Sequence, residues 1–153
     1  MKIRQTSNFE CIATLNKYVH DLHSNLYPEH FKEYNYEKVK KYFKSLVNNE
    51  SFLFLLLEDD GEALGYAWIE LKEYPENAFK KGYKSVYVHQ ISIADTKRNK
   101  GYGSSLMEHI YEMANNRGID VIELDYWCEN SVAKNFYKKQ DFIKYREFVY
   151  KKL

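Results

Sequence analysis

Arg98-Asn99-Lys100-Gly101-Tyr102-Gly103-Ser104 is the stretch whose residue types and spacing point most directly to chemistry. It lies between a β-rich segment and a segment with the apolar periodicity of a helix. Glycines let a backbone approach a ligand closely and take conformations that a side chain forbids. The first turn of a helix adds unpaired N–H groups and the positive end of a dipole. Together these can seat a phosphate, and Arg98 and Lys100 add charge. A tight strand-to-helix turn with incidental basic residues has the same composition. The segment is not a Walker loop, because no Gly-Lys-Ser/Thr follows at the right spacing. It also lacks the third glycine of the dinucleotide fingerprint.

A second constellation is Asn130-Ser131-Val132-Ala133-Lys134-Asn135-Phe136-Tyr137. Ala133 and Tyr137 are four apart and share a helix face. A small residue beside a tyrosine leaves room for a ligand next to the hydroxyl. Read alone, this is a surface helix anchored by Val132, Phe136 and Tyr137. Its position one strand after the glycine loop favours the functional reading.

The first segment matches Arg/Gln-x-x-Gly-x-Gly/Ala, and the second resembles Asn-x-x-Ala-x-x-Phe-Tyr. Those are the two signatures of the GNAT superfamily, the acyl-CoA-dependent N-acyltransferases, and they occur here in that family's order. The resemblance is sharpest over Val86 to Phe142. Two positions depart from it: Asp141 stands where the family usually has Gly, and Asp95 where it often has Pro. Both shape turns, and neither removes a reacting group.

The resemblance implies acetyl-CoA as cosubstrate, held where two neighbouring parallel strands, Val86–Ala94 and Ile119–Trp127, splay apart. The pantetheine arm would follow the backbone of Ile91, Ser92 and Ile93. The pyrophosphate would sit on the N–H groups of Asn99, Lys100, Gly101, Tyr102, Gly103 and Ser104, beside Arg98. Asn130, Ala133 and Tyr137 would approach the thiol end. An amine acceptor must lose a proton before it attacks the thioester, since alkylammonium pKa values lie near ~10.4. A backbone N–H near Ile91–Ile93 is the expected oxyanion donor. Tyr137 is the expected acid for the departing thiolate, from reference pKa values of ~10 for a phenol and ~8.5 for a thiol. His89 is the expected base. In a regular strand it shares a face with Ile91 and Ile93. A structural histidine, or one turned away by a strand bulge, is the competing reading. Glu70 and Asp125 are rival bases.

The acceptor pocket, by the same resemblance, lies under Asn25–Asn35 and Tyr74–Tyr83. Tyr27, Glu29, His30 and Phe31 are its expected substrate-binding residues, with Glu33, Tyr74, Glu76 and Tyr83 nearby. Aromatic walls with carboxylates suit a cationic amine. Polyamines, aminoglycosides, amino acids and peptide amines stay open as acceptors. A CoA-binding regulatory module without turnover, and an anion-binding interaction domain, are the alternatives. A metal site is not expected: no His-x-x-x-His or Cys-x-x-Cys spacing occurs, and His20 and His23 lack an obvious third ligand.

The elements that must position these groups follow from periodicity. Residues 2–6 read as a strand. Ile12, Leu15, Val19, Leu22 and Leu26 mark one helix face, with Asn8 as cap and Pro28 as interruption. Tyr36, Val39, Phe43 and Leu46 mark a second, capped by Asn35. Phe52–Leu57 is an apolar strand, Asp59-Asp60-Gly61 a turn, and Glu62–Lys72 the returning strand. Glu73–Lys84 reads as a loop or strand extension and Ser85–Ala94 as β-rich. Gly101–Arg117 is helical, Ile119–Trp127 a strand, Ser131–Lys139 a helix and Phe142–Tyr150 a last strand. The order β-α-α-β-β-β-α-β-α-β predicts an α/β (α+β) domain, with helices on both faces of a mixed sheet. By resemblance that sheet is mostly antiparallel.

The 153 residues, 44% hydrophobic and 29% charged, suit one domain, 1–153. A formal net charge of +1 argues against nucleic-acid or anionic-membrane binding through bulk charge. The longest apolar run, Phe52–Leu57, is too short to cross a bilayer. No secretion signal is expected at the N-terminus. Cys11 and Cys128 have no pairing pattern, so two free, buried thiols in a reducing, cytoplasmic setting are expected. The sequence leaves a homodimer open.

Overall fold

The computed structural model describes all residues, 1–153. Its centre is a five-stranded sheet in the order β1-β2-β3-β4-β5. The strands are β1 (Lys2–Gln5), β2 (Phe52–Asp59), β3 (Glu62–Tyr74), β4 (Tyr83–Ile93) and β5 (Ile122–Leu124). The first four pair antiparallel, and β4 and β5 pair parallel. The β2–β3 hairpin turns on Asp60 (φ 49°) and Gly61 (φ 77°). Two left-handed residues make the turn whose twist matches that of the flanking strands. The segment expected as loop or extension is mostly strand, so that only Pro75–Gly82 lies between β3 and β4.

Four helices cover the sheet: α1 (Phe9–Leu26), α2 (Tyr36–Leu46), α3 (Tyr102–Asn116) and α4 (Ser131–Lys139). Asn8 and Asn35 cap α1 and α2, each side-chain oxygen accepting a main-chain N–H at 3.0 Å, from Cys11 and Lys38. The helices divide between the two faces because β2 is apolar on both. Leu53, Leu55 and Leu57 pack with Leu106, Met107 and Ile110 of α3 and Tyr137 of α4. Phe54 and Leu56 pack with Ile12 and Leu15 of α1 and Phe43 of α2. Burying a Leu, Ile, Met or Phe side chain contributes about 1.5–3 kcal/mol, so each face holds its own helices.

Three expectations fail. The strand expected over Ile119–Trp127 shortens to Ile122–Leu124, because only Val86, Tyr87 and Val88 pair with it. The last strand expected over Phe142–Tyr150 does not form: β5 ends the sheet, and no neighbour accepts that segment. Cys11 is half-buried and Cys128 exposed; both are free. No helix is long and apolar enough to cross a membrane.

Candidate active site

The site begins where β4 and β5 part. Their last pair is Val88 with Leu124, yet β4 runs on to Ile93 with only β3 beside it. Main-chain groups in an antiparallel ladder point alternately toward and away from the partner. The Ala94 N–H bonds the Leu64 carbonyl at 2.8 Å, in the same register that pairs Ser92 with Tyr66. The N–H groups of Ile91 and Ile93 therefore point away from β3, into the gap left by β5. That gap is an edge of free donors at the place expected for a pantetheine arm and an oxyanion.

The glycine loop lies at the end of this edge. Ala94 leads into a short 3₁₀ turn, Asp95–Lys97, and Asn99 (φ 61°) and Gly101 (φ 81°) are both left-handed. Gly101 is the cap of α3, and a Cβ built on it meets nothing within 4 Å. The N-terminus of α3 thus opens on free space. Tyr102 fastens the loop by donating to Asp59 of the hairpin turn at 2.8 Å. Asp59 also pairs with the Met1 ammonium at 2.7 Å. These two partners hold the Asp59 carboxyl below its ordinary range, the ammonium first. Arg98 pairs with Asp95 at 2.8 Å. Its charge is therefore partly spent within the loop, and an anion would have to share it. Ser104 accepts from Gln140 Nε2 at 3.2 Å, which joins α3 to the end of α4. A Cβ on Gly103 would touch the Phe136 ring at 3.4 Å. Gly103 therefore sets the approach of α3 to α4, a role that its place in the motif conceals.

Asn130 caps α4: its side-chain oxygen accepts the Ala133 N–H at 3.1 Å. Its part in the motif is to start the helix that carries Tyr137. Tyr137 lies in the α3/α4 core between Phe136 and Phe142. Burial pushes its phenol up, with Tyr111 and Asp125 adding to the effect.

His89 does not share a face with Ile91 and Ile93. The pairing of β3 with β4 slips between Trp68 and Ile69, where Trp68 faces Gln90 and Ile69 faces Val88. His89 is the extra residue of that bulge, which turns its side chain to the α1/α2 face. There it stacks on Trp68 (4.4 Å, 21°) and meets Phe52 edge-on (5.8 Å, 90°). His89 Nε2 lies 2.6 Å from Glu70 Oε2. A carboxylate only accepts, so Nε2 carries the hydrogen and Nδ1 is the free basic atom of the neutral ring. On the same face Tyr87 donates to Asp125, the first residue past β5. The three candidate bases thus gather on one face of the sheet, with Glu70 hydrogen-bonded to His89 rather than competing with it.

The acceptor-side residues assemble around a residue that sequence reasoning left out. Trp127 follows β5, and its ring meets Tyr27 (4.7 Å), Phe31 (5.0 Å) and His30 (5.6 Å). Tyr27 also accepts the Glu129 N–H at 2.8 Å. Glu29 pairs with Lys152 at 2.8 Å. Tyr74 and Tyr83 stack on each other at 4.6 Å, away from this cluster on the β3–β4 hairpin. A strand-like context for Trp127 hid its place in this cluster; a large indole just beyond a short edge strand was the available signal.

The acetyltransferase (GNAT) family profile matches residues 16–142, which include the glycine loop and the α4 motif. An uncharacterized N-acetyltransferase of Methanocaldococcus jannaschii is 31% identical over 120 residues, covering 73% of this chain and 50% of that protein. One from Archaeoglobus fulgidus is 32% identical over 103 residues, covering 67% of this chain and 68% of its own. The chain thus spans half the length of the first relative and about two-thirds of the second. Among solved structures, a tetramutant of the BH1408 protein of Bacillus halodurans superposes with a TM-score of 0.93 at 25% identity, over 100% of both chains. The aminoglycoside N-acetyltransferase AAC(6')-Iy, in complex with CoA, shares the fold with a TM-score of 0.73 at 16% identity, over 99% of this chain and 93% of that one. A split parallel pair, a glycine-capped helix beside it and a tyrosine helix facing it are thus matched by a profile that spans most of the sequence: the chain belongs to the GNAT acetyltransferase family.

Proposed function

We propose that this protein transfers acetyl from acetyl-CoA to a primary amine of a small molecule or peptide, by direct attack through a tetrahedral intermediate. The observation that carries the reading is the split after Val88 and Leu124, which frees the β4 edge between Tyr137 on one face and His89 on the other.

In this reading the diphosphate rests on the N–H groups of Asn99 to Ser104, with Lys100 and Arg98 beside it. The pantetheine follows Ile91 to Ile93. The amine arrives from the α1/α2 face, past Trp127, Tyr27, His30 and Phe31. His89 Nδ1, directly or through water, takes its proton, and Glu70 holds the ring in the tautomer that can do so. The nitrogen lone pair forms the C–N bond, and the carbonyl oxygen becomes an oxyanion on the N–H of Ile91 or Ile93. The C–S bond breaks as the oxyanion collapses, Tyr137 gives its proton to the thiolate, and the second proton of the attacking nitrogen leaves to solvent, from which the phenolate is reprotonated. Burial raises the phenol, but the same dry surroundings raise a thiol, so the ~1.5-unit gap between the reference values need not widen.

Release of free CoA thiol, measured with a panel of amines, tests the reading. Slow release alone, accelerated by at least one amine, is the expected result. Tight acetyl-CoA binding with no acceleration by any amine in the panel would favour the regulatory module instead.

A further inference from the structure

The amine of Lys72 stands beside the proposed base. Trp68, Glu70 and Lys72 alternate along β3, so their side chains share the α1/α2 face with His89. On that face Lys72 Nζ lies 4.0 Å from Glu70 Oε2, the oxygen that accepts the His89 Nε2 hydrogen at 2.6 Å. The same ammonium lies over the Tyr87 ring, 4.4 Å from its centroid, and 5.9 Å from that of Tyr74. Tyr87 in turn donates to Asp125, the first residue past β5, and its ring packs 4.8 Å from the His89 ring. A primary amine thus stands over the mouth of the split, one carboxylate away from the base.

That amine is placed without being tied. Lys40, Lys144 and Lys152 each grip a carboxylate at 2.9 Å or less. For Lys72, 4.0 Å to Glu70 is beyond hydrogen-bond reach, and a ring face attracts a cation without fixing its direction. Its side chain is 30% exposed, so water reaches the ammonium, and a flexible four-carbon stem lets Nζ swing. Glu70 and the Tyr87 face are also the groups that an incoming ammonium would meet. With no other amine present, Lys72 is the one that occupies them. An amine on the same chain needs no capture from solution, and that proximity lowers the barrier to its reaction.

We infer that Lys72 is an acetyl acceptor in cis, modified by the acetyl-CoA that its own chain binds; the inference rests on the transfer reaction proposed above. Nζ gives one proton to His89 Nδ1, directly or through water, and its lone pair forms the C–N bond. The C–S bond breaks as the tetrahedral intermediate collapses, and the thiolate takes the Tyr137 proton. Solvent receives the second nitrogen proton and that of the imidazolium, and reprotonates the phenolate. One ammonium and one acetyl-CoA thus give one acetamide, one CoA thiol and one proton. The acetamide carries no charge, so Glu70 and the Tyr87 face are left to the ammonium of an external acceptor.

Incubation of the wild type with acetyl-CoA and no amine, followed by intact mass and peptide mapping, tests this. The expected result is a gain of one acetyl group at Lys72, with a first-order rate constant that does not change with protein concentration. Excess free CoA, which competes for the split, should suppress the gain, and Lys72→Arg should abolish it. An unmodified Lys72, in a protein whose thiol release an added amine accelerates, would overturn the inference and leave the transfer reaction standing. Acetyl at Lys72 with no external amine accelerating release would uphold the inference and remove the external acceptor. Neither acetyl nor release would sink both. Acetyl spread over exposed lysines such as Lys80 and Lys81 and insensitive to CoA would be chemical modification from solution, and would also overturn the inference. So would a rate constant that rises with protein concentration.

Discussion

The two faces of the sheet are built from the same strands and hold their helices by different means. On the α3/α4 side the core is aliphatic, with Tyr137 among few polar groups. On the α1/α2 side it is aromatic and wired. Asn16 Nδ2 donates to the Tyr66 hydroxyl at 2.9 Å, Tyr66 donates to Gln90 at 2.6 Å, and Ser92 donates to the Leu15 carbonyl at 2.7 Å. His89 with Glu70, and Tyr87 with Asp125, extend that wiring to the split. One face thus suits an apolar arm and a thioester, and the other suits a proton acceptor and a polar amine. The bulge at His89 creates the difference, since a regular strand would place the imidazole among the isoleucines.

Substitutions that separate the faces should give separable losses. If Tyr137 is the acid, Tyr137→Phe should lower kcat by roughly ten- to a thousand-fold and leave acetyl-CoA affinity nearly intact, because an acid acts in the transition state. Unchanged turnover, measured by thiol release, would remove the phenol from the mechanism. His89→Gln should cost about tenfold to a hundredfold in kcat/KM. Should Asp125→Asn alone do this, the base belongs to the strand on the other side of the split.

Tyr66→Phe sharpens the comparison through stability. It removes the hydroxyl between Asn16 and Gln90, which keep a direct hydrogen bond at 3.2 Å, and should cost about 0.5–1.5 kcal/mol in denaturant unfolding. A silent substitution would mean that water replaces the network. At the helix opening, Gly101→Ala should cost about 1–2 kcal/mol of left-handed strain. Gly103→Val presses on Phe136 instead, so it should loosen α4 as well as weaken cofactor binding. Normal acetyl-CoA affinity in both variants, by calorimetry, would reduce the loop to a turn.

The smallest effect concerns acid. Asp59 has a depressed pKa, so the stability it contributes is present above the ordinary carboxylate range and is lost as pH falls through the folded-state value. Asp59→Asn should therefore flatten the acid limb of a melting-temperature profile. An unchanged slope would show that the Met1 and Tyr102 contacts carry no net stability.

Much of this was legible in the residues. The asparagine caps, the Asp60-Gly61 hairpin and the four helices follow from local chemistry, because each is decided within a few residues of chain. The glycine loop and the tyrosine helix were legible as motifs. The bulge was not, because two residues opposing one is a property of the pair of strands and leaves no mark on either. Phe142–Tyr150 reads as a strand because alternation records a side-chain preference, whereas pairing needs a partner. The capping bond of Asn130 adds to its reading as a cofactor residue, because a cap and a ligand contact call for the same side chain. The contacts of Trp127 leave no mark in the sequence because they depend on which loop comes to meet it.

The account rests on coenzyme lying in the split, with its sulfur on the Tyr137 side. A crystal structure with bound CoA tests that most directly. The prediction is phosphates on the main chain of Asn99 to Ser104 and a sulfur within about 3.5 Å of the Tyr137 hydroxyl, in reach of a hydrogen bond. Phosphates bound elsewhere, or a sulfur lodged against His89 and Trp68, would contradict it.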